Sequence, residues 1–414
     1  MLVEGNITVN NGVILSIDPG VRVVFTDFYH LLILGTLLAE GTSDNMIRFT
    51  SAWPEMFYPD DSTNGCWNGI RFINTLATNI PSRLTYCLIE YSKGLDEFQI
   101  GGALSLYNFS ELEITNCLLR SNYALYGGAI GCEYHSSPVI TGNLLTGNYA
   151  SVSGSPLYCS YSYPKIINNT IADNHVLNTD PYIENGSIVN FISKPWIGGN
   201  IIWSNFNNYF LPVQIWEGKG FYTSFNDIEG GFIGTGNMAE DPLFNLAEPH
   251  PFSLNQDSPC LDTIDWPDVV YPLPENDLAG NPRWLDGNED GWVMLDMGAY
   301  EFNPDQNPVS DDDVLLPSAK LLQNFPNPFN PFTEIRFLVS QQQEMQLSIY
   351  NLKGQLIRFY RISSSDIVPG QENLRSIFWN GTDSNGYNVP SGIYFYRIES
   401  GKWASVSRKM LLIK

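Results

Sequence analysis

The chain has no run of 18 apolar residues, so no segment is long enough to cross a bilayer as a helix. It is also short of positive charge: 21 Lys and Arg stand against 44 Asp and Glu, a formal net of −23. The deficit is uneven. Up to Phe302 there are 10 basic and 34 acidic residues, 10 − 34 = −24, and from Asn303 onward 11 − 10 = +1. Two differently charged units are implied, and the acidic one repels polyanions, which makes it a poor candidate for binding nucleic acid or an anionic membrane surface. The six cysteines contain no CxxC and do not cluster with the four histidines, which argues against zinc. GxSxG, P-loop and HExxH motifs are absent. Nowhere do apolar residues keep a 3.6-residue spacing, which excludes helical repeats. The first residues, "MLVEGNITVNNGVILSIDPG", offer neither the basic start nor the apolar stretch of a signal peptide, so an export signal is expected upstream of Met1.

What is present is repetition. "ITNCLLRSNYA" at Ile114, "ITGNLLTGNYA" at Ile140 and "IINNTIADNHV" at Ile166 are each 26 residues apart (140 − 114 and 166 − 140). The fourth positions of the extended series, Cys87, Cys117, Asn143, Asn169, Asn200 and Asn226, are separated by 30, 26, 26, 31 and 26 residues. A second phrase, "GGALSLY", "GGAIGCEY", "SGSPLYCSY", starts at Gly101, Gly127 and Ser153 on the same beat. A fixed period of about 20 to 50 residues signals a stacked-repeat architecture. Each period holds short β-prone runs broken by Gly, Asn, Ser or Pro, so one period is read as one coil whose strands pair in parallel with those of the next coil.

The same logic places Asn122, Asn148, Asn174 and Asn205 at a corner, where asparagine tolerates the left-handed region and its amide can bond from rung to rung. The residues directly after them, Tyr123, Tyr149, His175 and Phe206, form an aromatic ladder in register. Tyr123, Tyr149 and His175 are candidate sugar-stacking residues, with a purely structural stack as the alternative. Cys87 and Cys117 are expected as stacked, buried thiols rather than a disulfide.

With "NGVILSIDPGVRVVF", "LLILGTLLAEGT", "DSPCLDT", "DLAGNPRW" and "LDMGAYEF", residues 1–302 resemble the right-handed parallel β-helix proteins of pectate-lyase-like fold. The resemblance implies an all-β fold, with a closing segment at about 241–302, in a secreted or cell-surface bacterial protein. Enzymes on this fold line up basic residues or carboxylates on one sheet. Here Arg71, Arg83, Lys93, Arg120, Lys165 and Lys194 share no register, and Glu90, Glu113 and Glu133 are the carboxylates available for a glycosidase pair. No catalytic or cofactor-binding residue is assigned. A non-catalytic protein binding a polysaccharide, a cell-surface glycan or another partner is expected, with a polysaccharide lyase or glycoside hydrolase as the alternative. No cofactor is required, but "DGNEDG" matches the start of a calcium loop, with Asp286, Asn288 and Asp290 as ligands and Asp296 as a fourth.

After Phe302 the composition changes, and 303–317 reads as a polar, proline-bearing linker. From 318 to 414, runs such as "TEIRFLVS", "MQLSIYNL", "QLIRFYRI", "RSIFWNG" and "GIYFYRIE" alternate apolar and polar residues, as strands of a β-sandwich do. "NFPNPFNPFTEIRF" is poor strand material until Thr333, because proline lacks the ladder N–H. This unit resembles the type A C-terminal sorting domain of type IX secretion, immunoglobulin-like and related to flagellar hook-capping proteins. The likeness is carried by Asn327, Pro328, Phe329, Asn330 and Pro331, "IYNLKGQ", "WNGTDSNGYNVPSGIYFYRI" with Gly392, and "KMLLIK" from Lys409 to Lys414. It implies export by the type IX machinery to the medium or the outer-membrane surface.

Overall fold

The computed structural model describes the chain outside 76–79, 96–98, 109, 179–185, 208–213, 218–221, 248, 266–272, 305–318, 322–323, 325, 327–328, 340–344, 352–354, 363–372, 385, 401–402 and 405–407. It divides into two compact units, Met1–Asn307 and Pro308–Lys414. From residue 305 on, the linker read at 303–317 lies outside the described residues.

The first unit is a parallel β-solenoid. Among the described residues, short strands recur on four parallel sheets of nine, eight, eight and five strands, pairing with their equivalents in neighbouring coils. The central part of the nine-stranded sheet runs Cys87–Glu90, Leu118–Arg120, Leu144–Thr146, Thr170–Ala172 and Ile201–Trp203. Within one coil the chain passes from an eight-stranded sheet (Leu112–Thr115) through this sheet (Leu118–Arg120) to the five-stranded sheet (Tyr123–Tyr126). It then enters the other eight-stranded sheet at Ile130–Glu133.

Strand alternation sends every second side chain inward, so stacked coils align like with like. Val23, Phe49, Ile89, Leu119, Leu145, Ile171, Ile202 and Ile228 form one buried column in direct register. Leu84, Ile114, Ile140, Ile166 and Ile197 form a second. Each such side chain contributes about 1.5–3 kcal/mol by leaving water, which is why three-residue strands suffice once stacked.

On the nine-stranded sheet the outward residues Leu144, Thr170 and Ile201 are buried too. The segment before Asn303 straps over them. Leu278, Ala299 and Tyr300 pack with Leu144, while Cys260, Leu295 and Met297 pack with Ile201. The Tyr86 hydroxyl donates to the Asp277 carbonyl (2.8 Å), the Asn116 amide to Asn276 (2.9 Å) and the Asn168 amide to Asp296 (3.0 Å). The strap thus runs along the side of the coils.

The described residues of the second unit form two antiparallel sheets. Thr333–Val339 pairs with Ala319–Leu321 and Asn373–Trp379, and Met345–Asn351 lies between Leu356–Ile362 and Gly392–Ser400, which also pairs with Arg408–Leu412. These coincide with the alternating runs, and the first long strand does begin at Thr333. Ile335, Phe337, Leu347, Ile349, Trp379, Tyr396, Ile398, Met410 and Leu412 form its core.

Candidate functional site

The asparagine positions are the most ordered polar feature of the solenoid. Asn143, Asn169, Asn200 and Asn226 are fully buried, and so are Asn122, Asn148, Asn174 and Asn205. Asn143 Oδ1 accepts from the Cys117 N–H (2.7 Å) and Asn122 Oδ1 from the Ser92 N–H and hydroxyl (3.2 and 2.6 Å). Each of the other Oδ1 atoms accepts the backbone N–H and the side-chain amide of the asparagine one coil earlier, as Asn169 does from Asn143 (2.9 and 2.9 Å). Each Nδ2 donates onward and to a main-chain carbonyl, as Asn169 does to Asn200 (3.0 Å) and Ile140 (2.9 Å). Cys117 and Cys87 continue the first ladder with sulfur: the Cys87 N–H donates to the Cys117 Sγ (3.3 Å), whose thiol donates to the Leu84 carbonyl (3.3 Å). Both thiols are free, and burial raises the Cys87 thiol far above its ordinary value. The expected corner conformation is corrected by one residue. The left-handed positions are Ser121, Gly147, Asp173 and Ser204, immediately before the ladder asparagines. The asparagines are required for bonding between coils, and the residue ahead of each makes the turn.

Tyr123, Tyr149, His175 and Phe206 occupy one row of the five-stranded sheet. Tyr149 and His175 are stacked at 5.3 Å. The excursion through residues 53–66 covers the start of this row. Buried Lys93, one coil before Tyr123, donates to the carbonyls of Asp60 (2.9 Å) and Ser62 (2.5 Å), and the Tyr123 hydroxyl donates to Asp61 (2.6 Å). Burial, together with that bond to Asp61, pushes the Tyr123 phenol up to about 12. Tyr123 is therefore enclosed, and Tyr149 and His175 are half-buried.

The three candidate carboxylates stand on three different sheets. Glu90 is buried and held by Arg48, Thr50 and Arg120 (2.9 Å to the last). Glu113 faces Arg83 at 3.4 Å. Glu133 stands alone among these three, half-buried, its carboxyl raised by desolvation.

Asp286, Asn288 and Asp290 share one loop, as the motif requires, but their oxygens bond the loop's own backbone. Asp286 accepts from the N–H groups of Asp290 (3.0 Å) and Gly291 (2.9 Å), and Asn288 accepts from Asp290 (2.9 Å). Asp296 does not join them. Its carboxylate is buried, accepting from Asp262 (2.7 Å) and Phe302 (2.7 Å). Among the described residues no group of three or more His, Cys, Asp and Glu is placed to hold a metal.

Asp296 belongs instead to an ionic cluster that the motif reading missed. Buried Arg283 pairs with buried Glu301 (2.9 Å), whose other oxygen accepts the Asp296 N–H (3.0 Å), while Asp277 accepts from Asn281 (2.7 Å) and Glu301 (2.8 Å). The signal was available in "DLAGNPRW" and "LDMGAYEF", which hold all four residues. Desolvation raises Asp296 to about 7 and Glu301 well above its usual range, with Arg283 offsetting only part of this. Desolvation also raises Asp227 to about 6.

These carboxyls bind protons more tightly folded than unfolded. The contribution of Asp227 and Asp296 to stability is therefore full below their ordinary pKa near 3.8 and is lost as pH rises through about 6 and 7. Thermal unfolding measured from pH 4.5 to 7.5 should show the solenoid losing stability as pH rises. Asp227→Asn should flatten part of that slope, and an unchanged slope would remove Asp227 from the account.

In the second unit, Phe329 is buried against Trp379 at 5.5 Å between ring centres. Its N–H donates to the Leu411 carbonyl (3.0 Å), and its carbonyl accepts from Ile413 (2.9 Å). The lead-in motif is thereby clipped to the last strand. Asn327 and Pro328 lie outside the described residues, while Asn330 is exposed and Pro331 partly buried. Gly392 pairs with Leu412, Lys409 sits opposite Phe395 in the same ladder, and the Lys414 ammonium donates to the Val389 carbonyl (2.5 Å).

Comparison with known proteins agrees with this geometry. Residues 323–414 match the family model described as "Secretion system C-terminal sorting domain". The chain is thus a parallel β-solenoid joined to a secretion-system C-terminal sorting domain. Among solved structures, dimeric latent PorU from Porphyromonas gingivalis is similar at 24% identity over 23% of this chain, with a TM-score of 0.21. The match spans 9% of the PorU chain. No curated protein matches.

Proposed function

We propose that the chain is a passenger of type IX secretion. The β-solenoid would be a non-catalytic binding unit delivered to the medium or the outer-membrane surface, and the second unit the address read by the export machinery. The observation that carries the reading is the sorting-domain match at 323–414. The binding role is supported over a hydrolytic one by the dispersal of Glu90, Glu113 and Glu133 over three sheets, with the first two engaged by arginines. The reading assigns no role to calcium.

A reporter fused ahead of residues 318–414, behind a signal peptide, should be found outside a bacterium that has this secretion system. Removing Lys409 to Lys414 should hold it in the periplasm. That deletion also removes Met410 and Leu412 from the core, so Lys414→Ala, which keeps the strand Arg408–Leu412, separates recognition of the terminus from folding. Equal export of the intact and truncated fusions would overturn the assignment.

A further inference from the structure

Where the chain leaves the eight-stranded sheet that contains Ile130–Glu133, five successive coils enter the turn through a left-handed residue. The paired residues Ile73, Tyr107, Glu133, Ser160 and Phe191 are succeeded by Asn74, Asn108, Tyr134, Tyr161 and Ile192. The φ values of these five are 52°, 59°, 52°, 49° and 50°. Their N–H groups donate from coil to coil, as Tyr134 does to Ser160 (3.2 Å) and Tyr161 to Phe191 (3.1 Å), so the positions are equivalent. The first two coils carry asparagine, which this conformation suits, and the Asn108 amide donates to Asn74. The next three carry tyrosine, tyrosine and isoleucine. Bulky and β-branched residues are uncommon in this region, although Tyr86 and Tyr91 also adopt it elsewhere in the coils, so exposure rather than backbone strain distinguishes these three.

These residues also face solvent. Tyr134 is 49% exposed, Tyr161 41%, Phe191 37% and Ile192 57%. Tyr107 meets Tyr134 at 4.9 Å and Tyr161 meets Phe191 at 6.0 Å, both edge-on, and Tyr134 lies within 18° of parallel to Tyr161 at 6.3 Å. That last separation is too wide for full face-to-face contact, so ring surface stays uncovered. Beside them His135 and Tyr163 make a second pair at 6.1 Å.

We propose that this aromatic strip binds a neutral polysaccharide lying along the solenoid axis. The groups recur once per coil, a rise of about 4.8 Å, close to the length of one sugar ring, and a polymer of identical units meets such a row in register. Aromatic rings offer apolar faces to sugar C–H groups, and tyrosine adds a hydroxyl for theirs. Charge selects the class of glycan: residues 1–302 carry 10 − 34 = −24 and Glu133 lies in the strip, so a uronate or sulfated chain is repelled while an uncharged one is not. The proposal rests on the binding role given to the solenoid. Because binding is measured on purified protein, its failure is separate from a failure of export.

The test is affinity electrophoresis and titration calorimetry of the full chain with soluble mixed-linkage β-glucan, xyloglucan, galactomannan and, as the charged control, polygalacturonate. At least one neutral polymer should retard the protein and polygalacturonate should not. The double variant Tyr134→Asn/Tyr161→Asn should bind at least tenfold more weakly. Its Tm should equal or exceed the parent's, because asparagine already fills this conformation at Asn74 and Asn108. Three results would overturn the proposal: no binding to any neutral polymer, as for a strip that docks a protein; binding that survives the double substitution; or a double variant that melts well below the parent, which would make the rings structural packing.

Discussion

Asn174→Leu should destabilise the solenoid by about 4 kcal/mol, because leucine of similar volume abandons five buried hydrogen bonds at once. The Asn174 Oδ1 accepts from the Asn148 backbone (3.1 Å) and side chain (2.9 Å), and its Nδ2 donates to Leu145 (2.9 Å), Ala172 (3.1 Å) and Asn205 (2.9 Å). Water cannot replace the lost partners, since Asn148, Asn174 and Asn205 are all fully buried. An unsatisfied buried polar group costs about 1–3 kcal/mol, and several are left together, partly relieved by local rearrangement. The effect should concentrate in the coils on either side, because stacked repeats are stabilised by nearest neighbours. Thermal unfolding together with hydrogen exchange at Leu144–Thr146 and Ile201–Trp203 would measure it. A loss below about 1 kcal/mol would show that the ladder's bonds are replaceable. Asn143→Cys should be the milder change, because Cys117 and Cys87 hold the same ladder one and two coils earlier.

Arg283→Ala should loosen the strap that runs along the side of the solenoid, at a cost of about 3–5 kcal/mol. Arg283 and Glu301 are both buried, and Arg283 also donates to the Gly298 carbonyl (3.2 Å). Removing the cation leaves a desolvated carboxyl facing Asp296, and Glu301 would be driven to take up a proton. Proteolysis and hydrogen exchange should then report opening around Asp277 and from Asp296 to Phe302, while Leu84, Ile114 and Ile140 keep their protection. The double variant Arg283→Met/Glu301→Gln should lose less than the single one, because no unpaired charge remains inside. If the single and double variants lose the same amount, the pair is not what latches the strap.

Much of the architecture was legible in the sequence because a stacked coil must repeat. The 26-residue steps put Ile114, Ile140 and Ile166 in one column, and Asn143 and Asn169 in one ladder, as the strand register bears out. The alternating runs marked the long strands of the second unit because each has one buried face. Other features were not legible. The repeat points to Asn122 as the corner, yet Ser121 takes the left-handed turn, since a sequence does not say which of two adjacent residues bends. Asp296, adjacent in sequence to the twelfth position of a calcium loop, went to the strap's ionic cluster through contacts that no local motif encodes.

By itself, then, the sequence determined the features that period and alternation dictate: coils stacked in parallel, polar ladders inside them, and a separate antiparallel unit whose signature residues define a sorting domain. Only the tertiary structure decided which rings face water. Tyr123 and Tyr134 are equally aromatic members of the repeat. The 53–66 excursion folds over Tyr123, whereas Tyr134 stands at an uncovered corner. Exposure depends on what a distant stretch of chain covers, and a distant stretch leaves no trace in the period of the repeat it covers.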